Sequence, residues 1–201
     1  MLIYVCSSNP GKLNEFALVA HEEGLSHLTL APLPNLNDIP VPKETGSVFS
    51  ENAIAKALYY SAFTSEIVLA DDSGVWVDAL NGRPGVLSAR YAGPNASDLD
   101  NNNLLLRDLA ATAHRQARFI CALALARQKK LLMVERGVVE GKILLAPRGA
   151  NGFGYDPLFF YPPFQKSFGE ISAEEKFSVS HRGNAIRTLM RRLPEVLAKK
   201  I

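Results

Sequence analysis

Leu2-Ile3-Tyr4-Val5-Cys6-Ser7-Ser8-Asn9-Pro10-Gly11-Lys12 opens the chain, and its change of character at Ser7 decides the fold class. Leu2 to Cys6 is an unbroken apolar run and reads as a buried strand. Ser8 or Asn9 can cap a helix whose first position Pro10 takes. The unpaired backbone N–H groups of such a helix start attract anions. Lys12 sets a positive charge in the first turn, against the helix dipole, and a bound anion would relieve that conflict. The same residues also suit an ordinary strand-to-helix turn with a solvated lysine, because Ser, Asn and Gly are routine turn residues. The string lacks the Gly-x-x-x-x-Gly-Lys-Ser/Thr spacing of a Walker A loop.

Outward from this unit, Leu13, Phe16, Ala17 and Ala20 form a helical stripe over Lys12 to Glu23, which Gly24 can end. Leu28 to Leu33 suits a second strand, and Pro34 to Pro42 an exposed loop. A long helix over Val48 to Ala62 presents Ile54, Ala55, Leu58 and Ala62 to a core and can be capped by Ser47. Ile67 to Ala70 reads as a short strand that stops at Asp71-Asp72-Ser73-Gly74, before Val75 to Leu80 and the turn Asn81 to Gly85. A helix through Leu104, Leu105 and Leu109 begins at Ser97 or Asp98. Ala117 to Ala126 and Leu131 to Glu140 pair through a hairpin at Arg127 to Lys130. The glycines at 149, 152 and 154 and the aromatic stretch Phe159 to Phe164 read as loop. Ser172-Ala173-Glu174-Glu175 has capping-box spacing, and a last amphipathic helix runs from about Asn184 toward Leu197, kinked or broken near Pro194. Strands that first alternate with helices and then pair among themselves give an α/β fold with a mixed sheet.

The 201 residues can bury a core as one domain, in one or two lobes, without disulfides. Twenty-two Lys and Arg against 20 Asp and Glu leave a net charge of +2, which provides no general attraction to nucleic acid or to an anionic membrane. Cys6 and Cys121 both lie in apolar runs and read as reduced core residues. The N-terminus lacks the basic segment and the apolar stretch of a signal peptide, and no run approaches the ~18 apolar residues of a membrane span. These features point to a soluble, cytoplasmic protein.

The acidic string Asp71-Asp72 follows an apolar run just as Ser7 does. In open α/β sheets ligands lie beyond the carboxyl ends of strands, so parallel placement of the two runs would turn Lys12 and the aspartates toward one cleft. Successive strand residues point oppositely, so one aspartate can hold Mg²⁺ while the other braces the loop. An Asp-rich turn is the alternative. Glu44 and Asp72 together meet the needs of Mg²⁺, which takes one or two carboxylates, waters and substrate phosphates. Lys56, among Ile54, Ala55, Ala57 and Leu58, reads as a lysine extending its ammonium to solvent; with Asn52 one turn earlier on the same face it can instead reach phosphate oxygens. Gly152-Phe153-Gly154-Tyr155-Asp156 offers a ring to stack on a base and an acceptor for its edge, or simply a turn whose aromatics close the core. His181 and Arg182 begin the last helix as donors or as a surface pair. Phosphate grips, a metal carboxylate, a stacking ring and base-edge donors in one chain describe a nucleotide site.

Ser7 to Lys12, Glu44-Thr45-Gly46, Glu51-Asn52-Ala53 with Lys56-Ala57, Ala70 to Gly74, Ser88-Ala89-Arg90-Tyr91, Gly152 to Pro157 and Ser180-His181-Arg182-Gly183 resemble, in order, the inosine triphosphate pyrophosphatase family. Ser8 stands where that family often has glycine, and Lys43 where an acidic residue commonly precedes the Glu44 position. The resemblance implies an elongated mixed sheet with helices in two lobes, a nucleotide cleft between them and a homodimer. It also implies Mg²⁺-dependent cleavage of ITP, dITP and XTP between the α and β phosphates, giving the monophosphate and pyrophosphate. Carried over residue by residue, Ser7, Ser8, Asn9, Pro10, Gly11, Lys12 and Lys56 hold phosphates, Asp72 is general base and metal ligand, and Glu44 assists the metal. Ser73, Phe153, Gly154, Tyr155, Asp156, Lys176, His181 and Arg182 contact substrate, mostly around the base. A related pyrophosphatase acting on TTP or UTP, and a catalytically silent purine-nucleotide-binding regulator, are the competing functions.

Overall fold

A computed structural model describes residues 1–22 and 28–198, so the helix stop expected at Glu23 and Gly24 lies outside the described residues. The strands are β1 (Leu2–Val5), β2 (Thr29–Pro32), β3 (Ile67–Val77), β4 (Gln116–Arg127), β5 (Lys130–Ile143), β6 (Phe159–Tyr161) and β7 (Lys166–Ser167). They form one sheet in the order β2-β1-β3-β4-β5-β6-β7. The helices are α1 (Pro10–Glu22), α2 (Phe49–Tyr60), α3 (Asp98–Asp108), α4 (Ala173–Val179) and α5 (His181–Ala198). β1 is parallel to both β2 and β3, whereas β6 is antiparallel to β5 and β7, so the sheet is mixed as the sequence suggests. β4 and β5 are joined by Gln128 and Lys129, with φ of 48° and 62°, the left-handed pair that a two-residue hairpin requires.

The chain packs as two compact units. One comprises Met1–Asp72, Cys121–Gly137 and the segment from His181 onward; the other comprises Ser73–Ile120 and Val138–Ser180. In the first, α1 packs on α5 and β2. Gly137 of β5 allows the start of α5 to approach closely, because a Cβ there would run into the His181 carbonyl oxygen and the Ala185 backbone. The second unit is built around Leu105, Leu109, Phe119, Phe159 and Phe168, all buried. Its ring centroids lie 4.5 Å apart for Phe119 and Phe159 and 5.0 Å for Phe159 and Phe168, within the range of favourable aromatic pairs.

Several local readings need correcting. β3 does not stop at Ala70: it continues through Asp71, Asp72, Ser73 and Gly74 to Val77, because both carboxylates are buried against cations that the local sequence does not reveal. Phe159–Tyr161 is not loop. It pairs with Lys142 and Ile143 on one side and with Lys166 and Ser167 on the other. α5 starts at His181 and runs through Pro194 without a break; burial of Leu189, Met190 and Leu193 holds the turns that the missing N–H weakens. α2 begins after Val48, and the cap comes from Glu51, whose Oε2 accepts from the Ser47 and Val48 N–H groups at 2.7 and 3.3 Å. At α3 the choice between Ser97 and Asp98 falls to Ser97, which forms a capping box with Asp100.

Candidate active site

β1 and β3 are parallel in the register Val5 to Leu69, and the Cys6 N–H donates to the Leu69 carbonyl at 2.8 Å. Asp71 and Asp72 therefore lie just beyond the last residue of β3 that pairs with β1, at the level of the turn that follows Val5. That turn is ordered by its own side chains. Ser7 Oγ accepts from the Asn9 N–H at 3.2 Å, and Asn9 Oδ1 accepts from the Lys12 N–H at 3.1 Å, so Asn9 caps α1 and Pro10 occupies its first position. Ser8, Asn9 and Pro10 stay exposed, and Gly11 is half-buried.

Strand alternation gives the two aspartates different surroundings. Asp71 Oδ2 lies 2.8 Å from Lys12 Nζ and 3.6 Å from Arg182 Nη2, and Arg182 also pairs with Glu15 of α1. The anion that meets Lys12 within the chain is thus Asp71. Burial opposes the Asp71 charge, but Lys12, Arg182 and Lys56 outweigh it and hold the carboxyl well below the usual carboxylate range. Arg182 is itself buried, and Glu15 and Asp71 more than offset the cost, raising its pKa further. Neither Arg182 nor His181 belongs to a surface pair, since both are buried at the start of α5.

Asp72 faces α2 and the segment before it. Its Oδ2 accepts from Asn52 Nδ2 at 2.9 Å, and its Oδ1 lies 3.6 Å from Lys56 Nζ. Lys56 donates to Glu44 Oε1 at 2.9 Å, and Asn52 Oδ1 accepts from the Gly46 N–H at 2.8 Å. Glu44, Lys56, Asn52 and Asp72 are therefore one hydrogen-bonded set, and the Lys56 ammonium is turned inward rather than extended to solvent. Burial raises the Asp72 pKa, with Lys56 and Asn52 opposing and the Glu44 charge adding to the rise. Burial also works against the charge of Lys56, but Asp71, Asp72 and Glu44 prevail and raise its pKa.

Glu15, Glu44, Asp71 and Asp72 supply four carboxylates against the three cations Lys12, Lys56 and Arg182. Among the described residues no group of three or more His, Cys, Asp or Glu is arranged to hold a metal ion. Glu44 and Asp72, both bound to Lys56, do fit a hard cation that takes its remaining ligands from water and phosphate.

The other unit holds the loop Gly152 to Asp156. Gly152 and Gly154 have φ of 76° and 61°, which favour glycine. Asp156 is buried, and its Oδ2 accepts from the Phe153 N–H at 2.8 Å and from Lys176 Nζ at 2.6 Å. Lys176 Nζ stands 4.4 Å from the centre of the Phe153 ring. Tyr155 is buried and donates its hydroxyl to the Ser88 carbonyl at 2.8 Å. Asp156 thus spends one oxygen on the loop's own geometry, and Tyr155 faces inward. Ser73 is half-buried just beyond Asp72 on β3.

The family profile described as the Ham1 family matches residues 3–192. The chain belongs to the Ham1 family. It is 47% identical over 189 residues to the dITP/XTP pyrophosphatase of an Exiguobacterium strain, covering 94% of this chain and 95% of that one. The structure of the Staphylococcus aureus Ham1 protein superimposes with a TM-score of 0.85 at 39% identity, covering 97% of this chain and 99% of that one. A HAM1 protein from Coxiella burnetii gives 0.86 at 40% identity with the same coverage.

Two residues of this Ham1 chain have partners that the sequence does not announce. Glu15 is buried beside Phe16, next to the apolar stripe of α1, and an acidic residue at such a position is the signal that a buried cation awaits it. Ser88, in the Ser88-Ala89-Arg90-Tyr91 string, braces the turn after β3. Its hydroxyl accepts from the Val75 N–H at 3.0 Å and donates to the Gly85 carbonyl at 2.7 Å.

Proposed function

We propose that this Ham1 protein hydrolyses non-standard purine nucleoside triphosphates, ITP, dITP and XTP, to the monophosphate and pyrophosphate, with Mg²⁺, as a cytoplasmic homodimer. A nucleoside triphosphate pyrophosphatase is the activity its relatives are named for, and the observation that carries the reading here is the Asp72–Lys56–Glu44 set. It combines a buried carboxylate of raised pKa, a lysine already held between two carboxylates and a donor set suited to Mg²⁺.

Lys12 and Lys56, each fixed by a carboxylate, would neutralise charge developing on the phosphate oxygens without having to reorganise first. Asp72 would orient and deprotonate the attacking water, its raised pKa making it a better base than an exposed aspartate. Glu44 and Asp72 would hold Mg²⁺, which when bound adds charge neutralisation at the phosphates. Ser7 to Gly11 would lie along the phosphate chain. Phe153 would stack on the base, with the Lys176 ammonium, held by Asp156 beside that ring, donating to a purine 6-oxo group. A 6-amino purine would leave that donor unpaired, at a cost of about 1–3 kcal/mol. Arg182 would act through Asp71 and Lys12, with which it is already engaged.

Purified protein incubated with Mg²⁺ and ITP, XTP, GTP, ATP and TTP, with products identified, tests this. The expected products are IMP and pyrophosphate from ITP, with little turnover of ATP or TTP. Orthophosphate with IDP would overturn the pyrophosphatase reading, preference for TTP would select the related class, and tight ITP binding without turnover would select the regulator.

A further inference from the structure

The Phe153 loop carries glycines at 152 and 154, both in the left-handed region, so its own backbone does little to fix the ring. A Cβ on Gly154 would meet nothing within 4 Å, so this glycine answers to backbone conformation, not to lack of space. What holds Gly154 comes from α3. Asp98 Oδ2 accepts from the Gly154 N–H at 2.6 Å, and Asn102 Nδ2 donates to the Gly154 carbonyl at 2.9 Å. The two residues lie one helical turn apart, on the same face.

Neither belongs to the capping box of α3. Ser97 and Asp100 already form the cap, leaving Asp98 outside it. Asn102 is buried, a poor helix former, and its Oδ1 has no hydrogen-bond partner among the described residues. A leucine of similar size would suit a helix interior better. A half-satisfied buried amide retained at this position is explained by its bond to Gly154.

We infer that Asp98 and Asn102 are positioning residues, gripping Gly154 at both its N–H and its carbonyl so that the Phe153 ring is held where the base stacks. The inference rests on the function proposed above. The grip acts on base affinity and on discrimination between bases, and leaves the chemistry at Asp72 unchanged.

The test uses Asp98→Ala, Asp98→Asn and Asn102→Leu in the full chain. With ITP, Asp98→Ala and Asn102→Leu should raise KM about tenfold with kcat within about twofold. Inhibition by inorganic pyrophosphate, which has no base, should be unchanged. Asp98→Asn keeps an acceptor for the Gly154 N–H and should restore the wild-type KM. Asn102→Leu should match or exceed the wild type in Tm. Hydrogen exchange at the Gly154 amide should quicken in Asp98→Ala and recover in Asp98→Asn; this reads the grip without turnover, so a wild type inactive toward ITP would reject the proposed function and leave the grip testable. Unchanged KM and unchanged exchange in Asp98→Ala and Asn102→Leu would overturn the inference. So would equal impairment in Asp98→Ala and Asp98→Asn, or a loss of kcat that tracks a fall in Tm.

Discussion

The two polar clusters are built on opposite plans. Around Asp71 and Asp72 every charged group but Glu44 stands on a strand or helix, and its direction follows from strand alternation and helix phase. Around Phe153 the backbone is irregular, and side chains determine it: Asp156, Lys176, and the hydroxyl of Tyr155 bound to Ser88. The first plan suits reacting groups, which need fixed geometry. The second suits a recognition surface, whose shape can change without disturbing a sheet.

The largest effect is expected at Asp72. Asp72→Asn should lower kcat about a thousandfold while leaving far-UV circular dichroism unchanged; an active variant would remove Asp72 from the chemistry. The neighbouring residue should behave in the opposite way. Asp71→Asn leaves buried cations uncompensated and should cost about 3 kcal/mol, or about 10 °C in Tm, measured by urea and thermal unfolding at pH 7. Because the folded-state pKa of Asp71 is depressed, its contribution is complete above the unfolded value of about 4 and is lost as pH falls through the folded value. The gap between wild type and Asp71→Asn should therefore narrow below about pH 4. Asp72 has a raised pKa, so its ionisation costs stability at neutral pH, and Asp72→Asn should be slightly more stable than wild type there. The smallest effect belongs to the loop. Phe153→Ala should raise KM for ITP by about tenfold to a hundredfold, with kcat and Tm little changed; a loss confined to kcat would place Phe153 outside base binding.

The sequence shows the first plan better than the second. The strand, turn and helix at Leu2 to Lys12 follow from local pattern, and so do the separate surroundings of Asp71 and Asp72 once β1 and β3 lie parallel. What it hides are partners far apart in the chain. Asp71 and Asp72 read as a turn because Lys12, Arg182 and Lys56, which allow them to remain in a buried strand, are remote in sequence. Glu15 is hidden for the same reason, since its partner Arg182 stands at the other end of the chain. Phe159–Tyr161 is too short to show a strand period and is defined by its neighbours on both sides. Gly152 and Gly154 announce a loop, but nothing local indicates that α3 would reach it.

β3 lies inside the sheet with β1 on one side and β4 on the other, and its eleven residues run unbroken through the acidic pair. The backbone of Asp71 and Asp72 is consequently held within a strand, just beyond the last residue that pairs with β1. The carboxylates inherit this property. They sit inside a strand and not on a loop, so the excursions that expose them to solvent are expected to be rarer than those of a loop residue.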